Sequence, residues 1–419
     1  MKAEPRASQP PAPSARARRP LTSVVVEGFS SRLAFGILSF AVPLYAYSLG
    51  LDLAQIGLLL ATNMAVAMLL KPLMGRLIDR IGVRTAYVLA VLLRTIVVLG
   101  LLLATTAAAL FAARALHGVA IALRDPASST VLAALGGKKA VAQRFAWFQT
   151  AKSVAGSAGQ FGAGVALTIW VDDYATVFTI AAILSAVPLG VVLWGLRGEL
   201  VEGLRLPREQ RAPHMSPDLR RALVPYMGLG AMITGTAYLM ANLLPVLAVE
   251  HMGLAPAAAG SLYLVKSLVS LTGPGWGWVA DRVSHRLVLG VRGLGNGLSS
   301  LIWLFFPSYA GLLAGKILDD LGKAAYAPAW GRVMADVSEL DPARRSQTLA
   351  WMSSAEDAGE MAGPVVAGVV WSLWGLPALL LIRAGAALAT EGYAFWLGRR
   401  LREPDATAGE GRSTRPREA

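Results

Sequence analysis

The sequence contains no cysteine, which excludes disulfides, thiolate metal sites and a cysteine nucleophile. Histidine is nearly as scarce: His117, His214, His251 and His285 are scattered without metal-ligand spacing, so no metal is expected. A Ser-His-Asp set, a His-x-x-Glu-His run, a phosphate loop and a sizeable soluble segment are all missing, so catalysis has no support and no cofactor is implied. Charge is sparse too: only 16% of the 419 residues are charged, and the 26 acidic residues are outnumbered by 39 basic ones.

What fills the chain is apolar. Hydrophobic residues make up 55%, glycines number 43 and the mean hydropathy is +0.53, which describes a polytopic membrane protein rather than a soluble domain. Read at the roughly 20-residue length of a membrane span, the apolar segments fall at 21–47, 54–74, 85–105, 107–135, 144–170, 174–196, 222–249, 256–279, 286–306, 309–335, 346–373 and 377–398. The first exceeds a signal-peptide core and lacks a small-residue cleavage site, so it reads as an uncleaved span. The expected organisation is a disordered basic tail (1–20), a first six-helix bundle (21–196), a polar linker (197–221), a second six-helix bundle (222–398) and a second tail (399–419).

A formal charge of +13 fits either nucleic-acid binding or the cationic cytoplasmic loops of a membrane protein. Position decides. Arg76, Arg80 and Arg84, then Lys138, Lys139 and Arg144, then the arginines of 197–221, then Arg282 and Arg286, then Arg332, Arg344 and Arg345 all occupy alternate connections. The intervening connections, such as Ser48–Gln55, Val171–Tyr174 and Glu250–Leu254, carry neither Lys nor Arg. The positive-inside rule then places both termini in the cytoplasm and the chain in the cell (inner) membrane, with no nucleic-acid partner.

Gly75-Arg76-Leu77-Ile78-Asp79-Arg80-Ile81-Gly82-Val83-Arg84 reads as a short cationic connection between the second and third spans. It has an echo. Gly277, Asp281, Arg282 and Arg286 repeat its Gly, Asp-Arg pair and final Arg at a shift of 202 residues, which also relates Pro43 to Pro245, Pro126 to Pro328 and Arg114 to Lys316. Two halves in the same orientation put a substrate site near mid-membrane between them.

These residues carry a resemblance. Gly75-x-Leu77-x-Asp79-Arg80-x-Gly82-x-Arg84 resembles the signature motif between helices 2 and 3 of the major facilitator superfamily, with Thr85 departing from it. Leu110-x-x-x-Arg114-x-x-His117-Gly118-x-Ala120 is similar to the superfamily's helix-4 motif, with His117 in place of the usual Gln. Gly363-Pro364-x-x-Ala367-Gly368 is similar to the exporters' glycine-proline motif, here in the second half. The resemblance implies an all-α membrane protein of 12 transmembrane helices in two pseudo-symmetric six-helix bundles, the major facilitator fold, close to the drug/proton antiporter-like exporters. It also implies a conformational gate at Gly75, Asp79, Arg80, Gly82, Arg84, Asp281 and Arg282, with Asp79 facing the region from Arg345 to Thr348.

A charge at mid-bilayer costs about 2.5–3.5 kcal/mol on insertion scales, so charged residues within spans face a cavity or a partner. The substrate or proton-coupling candidates are Arg32, Arg114, His117, Asp125, Lys266, Lys316, Asp319, Asp320, Glu356, Asp357 and Glu360. Glu356, Asp357 and Glu360 stand within five residues and repel one another, which favours proton uptake by at least one. Local pairs Arg124–Asp125 and Asp320–Lys323, an ion pair of Lys152 across the contact between halves, an interfacial Glu27, and a belt of tryptophans at helix ends are the structural expectations. Taken together the chain reads as a proton-coupled exporter of a small organic compound, monomeric in the bilayer. The alternative is a proton symporter importing a sugar or organic anion, and a membrane enzyme or non-transporting receptor ranks last.

Overall fold

The computed structural model describes residues 15–135, 141–171, 173–197, 217–279, 282, 285–339, 341 and 345–400, and among them every regular element is a helix. The first half runs α1 (Ala15–Ser48), α2 (Leu53–Ile81), α3 (Val83–Leu102), α4 (Ala107–Leu135), α5 (Val141–Ile169) and α6 (Tyr174–Gly195). The second runs α7 (Pro217–Ala241), a short turn at Leu244–Val246 continued by a π-helical turn at Leu247–His251, α8 (Pro256–Ser270), α9 (Gly273–Val279), α10 (His285–Phe305), α11 (Tyr309–Ser338) and α12 (Arg345–Arg400). At 1.5 Å per residue the 56 residues of α12 far exceed one bilayer crossing. Gly375, at φ 81° and ψ 171°, breaks it into two arms that fold back on each other.

Seven described stretches are long and apolar enough to cross a membrane, from Thr22–Ser48 to Thr348–Leu397, the last containing the Gly375 break. Helices α5, α10 and α11, with 29, 21 and 30 residues, also have spanning length. The arrangement is consistent with the twelve expected segments.

Three expectations are corrected. The ten residues from Gly75 to Arg84 are not a loop: α2 continues through Ile81 and α3 begins at Val83, leaving the single residue Gly82 between them. Leu77, Ile78, Arg80 and Ile81 tolerate helix well, and only Gly82, at φ 84°, adopts the left-handed backbone that ends it. The segment Ala15–Pro20, expected as tail, is the start of α1, because Ala and Arg are strong helix formers and Pro20 lies in the second turn. Pro217–Arg221, expected as linker, opens α7, with Pro217 at the first helical position.

The two halves repeat one packing plan. In the first, α1 lies on α5 and α6, α2 on α4, and α3 on α4 and α6; in the second, α7 lies on α12, and α10 on α11 and α12. The halves meet through α2 against α12 and α5 against α8. Both crossings are built on glycine. A Cβ on Gly57 would collide with the Pro364 carbonyl, and one on Gly368 with the Leu53 carbonyl. At the second crossing a Cβ on Gly164 would strike the Pro256 carbonyl, and one on Gly260 would press on the backbone of Gln160 and Phe161. Small residues permit such close backbone approach between membrane helices.

Both crossings lie at the end of the molecule that holds the Lys- and Arg-free connections, where Asp52, Asp173 and Ser308 cap α2, α6 and α11. Hydrogen bonds from Thr176 hold the partly buried Asp173 carboxyl below its usual range. One continuous apolar core joins the halves at this end: Phe40, Leu44, Ile56, Leu59 and Phe178 pack with Leu243, Leu247, Tyr263, Trp371 and Leu379. At the opposite end the cores are separate, one in the first half around Ile78, Val83, Tyr87 and Leu123, and two in the second half, around Leu223, Ile233, Trp330 and Met352 and around Val288, Ala325 and Ala329. The protein is sealed at one end and divided at the other.

Replacing Gly57 or Gly260 by Leu is therefore expected to force a crossing apart and lower the apparent Tm by about 5 °C. The same change at Gly190, which has open space around it, is expected to be tolerated. Thermal unfolding of the purified variants in detergent checks both.

Candidate functional site

Above the divided end, charged side chains gather in three groups. The first is internal to the first half. Glu27 of α1 is wholly buried and takes a bidentate pair from Arg124 of α4, Nη2 at 2.6 Å and Nε at 3.0 Å, while the Tyr87 hydroxyl donates to it at 2.6 Å. Beside it, the Arg94 guanidinium lies 3.9 Å from the centre of the Phe35 ring, and His117 stacks on the same ring at 4.4 Å. Arg94 and His117 are both more than nine-tenths buried, and Arg94 Nε has no hydrogen-bond partner. The face expected on α4 is thus split. Arg114 bonds the carbonyls of Leu59 and Leu60 at 3.3 and 2.9 Å and also reaches Asn63, so it ties α4 to α2. Asp125 is half exposed and sits 3.6 Å from Arg124.

The second group is internal to the second half. Asp319 accepts from Arg383 at 2.7 Å and from Lys323 at 2.6 Å, and Arg383 also donates to Ser299 and Ser300 at 3.0 and 2.8 Å. Lys316 pairs with Asp320 one turn away, and Lys323 stands 3.9 Å from the same carboxylate. Nearby, Arg292 reaches the Ile233 carbonyl and Thr236, and its guanidinium lies 5.4 Å from the Tyr326 ring. Lys266 of α8 is in electrostatic reach of Asp320, Lys316 and Arg32.

The third group spans the halves. Lys71 of α2 pairs directly with Asp357 of α12. Glu356, one residue away, accepts from the Tyr326 hydroxyl at 3.3 Å, and Glu360 is bonded by the Tyr238 hydroxyl of α7, with Arg32 and Lys71 among the charges that act on it. Among the described residues Lys71–Asp357 is the ion pair that joins α2 to α12. Arg32, at mid-span on α1, is exposed and lies over Gly156 of α5, so it faces the water-accessible space between helices rather than lipid. A groove of about 380 Å³ lined by His251, Trp303, Pro307 and Pro377 lies at the sealed end, away from all three groups.

The gate residues stand apart. Asp79 and Arg80 are exposed on the last turn of α2, Gly75 has open space around it, and Arg84 is partly buried on α3. Arg282 is exposed, its guanidinium 5.5 Å from the Trp278 ring, and Asp281 lies outside the described residues.

Four structural expectations change. Arg124 takes Glu27 as its principal partner, because a bidentate carboxylate across α1 and α4 outcompetes the exposed neighbour Asp125. Glu27 is buried and not interfacial, since α1 extends further toward the amino terminus than expected. Lys152 has no ion-pair partner among the described residues, and its ammonium instead sits 5.0 Å from the Phe148 ring of its own helix. Trp330 and Trp371 are buried in the cores and do not join a belt, because each fills space between helices. Sequence reading missed Lys71, Asn63, Tyr238, Tyr326 and Arg292. Lys71 had left a signal, a lone cation in an otherwise apolar run.

Two six-helix bundles around a charged mid-membrane cleft define a multi-pass membrane transporter. The profile of the Major Facilitator Superfamily matches residues 26–275 and 227–418, and the chain belongs to that family, whose members carry solutes and are not enzymes. Among solved structures it is similar to the human organic anion transporter MFSD10, at 19% identity over 92% of this chain and 100% of that one, with a TM-score of 0.63. It is likewise similar to the nucleoside transporter NupG, at 14% identity over 91% and 99% of the two chains, TM-score 0.72. A bacterial homologue of the human lysosomal transporter Spinster, in an inward-facing and occupied conformation, shares 14% identity over 90% and 96%, TM-score 0.73. At these identities the likeness is one of fold. No curated protein sequence matches the chain.

Breaking the buried Glu27–Arg124 pair leaves an uncompensated charge in low dielectric, so Arg124→Met is expected to destabilise the first half by about 3–5 kcal/mol. The double variant Glu27→Gln/Arg124→Met is expected to recover part of that loss. The apparent Tm values of the single and double variants check the coupling.

Proposed function

We propose that the chain is a proton-coupled exporter of a small organic compound that works by alternating access, a monomer in the inner membrane with both termini and the divided end in the cytoplasm. The observation that carries this reading is the Lys71–Asp357 pair between the halves, flanked by Glu356 and Glu360. Protonation of Asp357 removes the attraction that holds α2 to α12 at mid-membrane, so proton uptake and relative movement of the halves are tied to one bond. Glu360, between Tyr238 and the cations Arg32 and Lys71, is the second carboxylate placed to carry a proton. Arg114, His117, Lys266, Lys316, Asp319 and Asp320 support this cleft in the same reading, Arg114 by fixing α4 to α2 and the others by setting its charge.

The orientation follows from charge: Arg76, Arg80, Arg84 and Arg282 all belong to the divided end, which the positive-inside rule assigns to the cytoplasm. In this cytoplasm-open state Asp79 is exposed on the last turn of α2. In the opposite state, closure of that end brings Asp79 onto the amino-terminal turn of α12, where the helix dipole and the backbone amides attract a carboxylate. Arg80, Gly82, Arg84, Gly75 and the second-half counterparts Asp281 and Arg282 shape the two rims of this gate. Import of a sugar or organic anion by proton symport is the second reading, favoured by the cations of the first half.

Two outcomes are expected. In proteoliposomes with an imposed pH gradient, screened with a panel of small organic compounds, export appears as compound-evoked proton movement opposite to the compound. Asp357→Asn lowers uphill movement by at least about tenfold while sparing exchange down a gradient. Movement of proton and compound in the same direction selects symport, and uphill transport untouched in both Asp357→Asn and Glu360→Gln overturns the coupling site. Asp79→Asn is expected to raise the share of molecules open at the divided end, read as distances between spin labels on α4 and α11; an unchanged distribution rejects the latch.

A further inference from the structure

We propose that the first half carries an anion-binding subsite at Arg32 and Lys152, and that the transported compound presents to it a carboxylate, sulfonate or phosphate group. The inference rests on the transport reading and is independent of the direction of transport. Arg32 of α1 leans closely over Gly156 of α5: a Cβ there would stand 3.2 Å from Arg32 Nε. Lys152 lies one turn away on the same helix face, and Arg32, Arg94, Arg124 and Asp125 are the charges that act on it. Among the described residues neither Arg32 nor Lys152 has a carboxylate within ion-pairing distance.

The charge balance around them is uneven. Glu27 is already taken by Arg124 and Tyr87, and Asp125 is drawn to Arg124, so within the first half Arg94, Arg32 and Lys152 are left in excess, Glu360 of the other half being a further carboxylate that acts on Arg32. Arg94 is more than nine-tenths buried behind Phe35 with Nε unbonded, which adds positive potential without offering a contact. A low-dielectric wall behind the exposed Arg32 and the partly buried Lys152 focuses that potential into the cleft. The second half does not share the excess: beside the cations Lys266, Arg292, Lys316, Lys323 and Arg383 stand the carboxylates Asp319, Asp320, Glu356, Glu360 and Glu391, and Lys71 is matched by Asp357. The subsite also has an approach. Thr22, Val26, Phe29 and Arg32 are exposed in succession along α1 at helical spacing, a stripe that leads from the divided end to the guanidinium. An anionic head on Arg32 and Lys152 places the rest of the compound against Phe29 and toward the carboxylates of α12.

The absence of cysteine makes the potential measurable without knowing the compound. The full chain with Phe29→Cys, and separately with Val26→Cys, is treated with an anionic reagent, 2-sulfonatoethyl methanethiosulfonate, and a cationic one, 2-(trimethylammonio)ethyl methanethiosulfonate. The ratio of anionic to cationic rates is expected to exceed that of a free thiol in solution, and to fall at least about threefold in Arg32→Gln and again in Lys152→Gln. A panel of small carboxylates, sulfonates and phosphates, each beside its neutral amide or ester, is then tested for slowing the modification. Protection by anionic members alone, lost in Arg32→Gln and retained in Arg32→Lys, is the expected result. A ratio at or below that of the free thiol, a ratio indifferent to both substitutions, protection by neutral members equally, or protection by no member overturns the subsite. The rate ratio reads the pocket whether or not the chain moves protons, so failure here is distinct from failure of the pH-gradient assay.

Discussion

A charge inside a bilayer must find either a counter-charge or water, and the arrangement of this protein follows from how each of its mid-span charges meets that demand. Some meet it by pairing within one half. Glu27 with Arg124, and Asp319 with Arg383 and Lys323, are satisfied without reference to the other bundle, and each stitches helices together around a separate core. Others meet it by facing the cleft, as Arg32 does. Lys71 and Asp357 meet it only through each other, across the line along which the halves must part. The first set binds each bundle internally, and the last ties the two bundles to each other.

The contact between the halves is built on glycine. The crossings at Gly57 with Gly368 and at Gly164 with Gly260 are counterparts under the repeat, so the same backbone-on-backbone contact occurs twice around the pseudo-twofold axis. Contacts of this kind carry little side-chain interlock. They allow one helix to rock on another while the large apolar leaves around Phe40, Leu247 and Trp371 seal that end in the present state.

Much of this was legible in the sequence. Segment lengths, the alternation of arginine-bearing connections and the 202-residue shift pointed to two like-oriented helical halves, because span length and loop charge are properties of the chain itself. Partner choice was not legible. Asp125 is next to Arg124 in sequence, yet Glu27, 97 residues away, holds the guanidinium, since geometry across α1 and α4 offers two hydrogen bonds where the neighbour offers a distant contact. Lys71 was hidden by the apolar run around it, and its significance depends on which residue of α12 lies opposite. Tryptophan position followed the same limit: nearness to a helix end says little about whether a neighbouring helix covers the ring, as it does for Trp330 and Trp371.

The one-residue connection at Gly82 has a mechanical meaning. Ile78 before it and Val83, Ala86 and Tyr87 after it belong to one buried core, while further along α2 Lys71 and, near its far end, Gly57 contact the other bundle. With no loop length to absorb slack, α2 and α3 behave as a bent lever whose short arm is clamped in the first half. A shift at the bundle contact therefore reaches the rim of the divided end undamped, and the signature motif is the elbow of that lever.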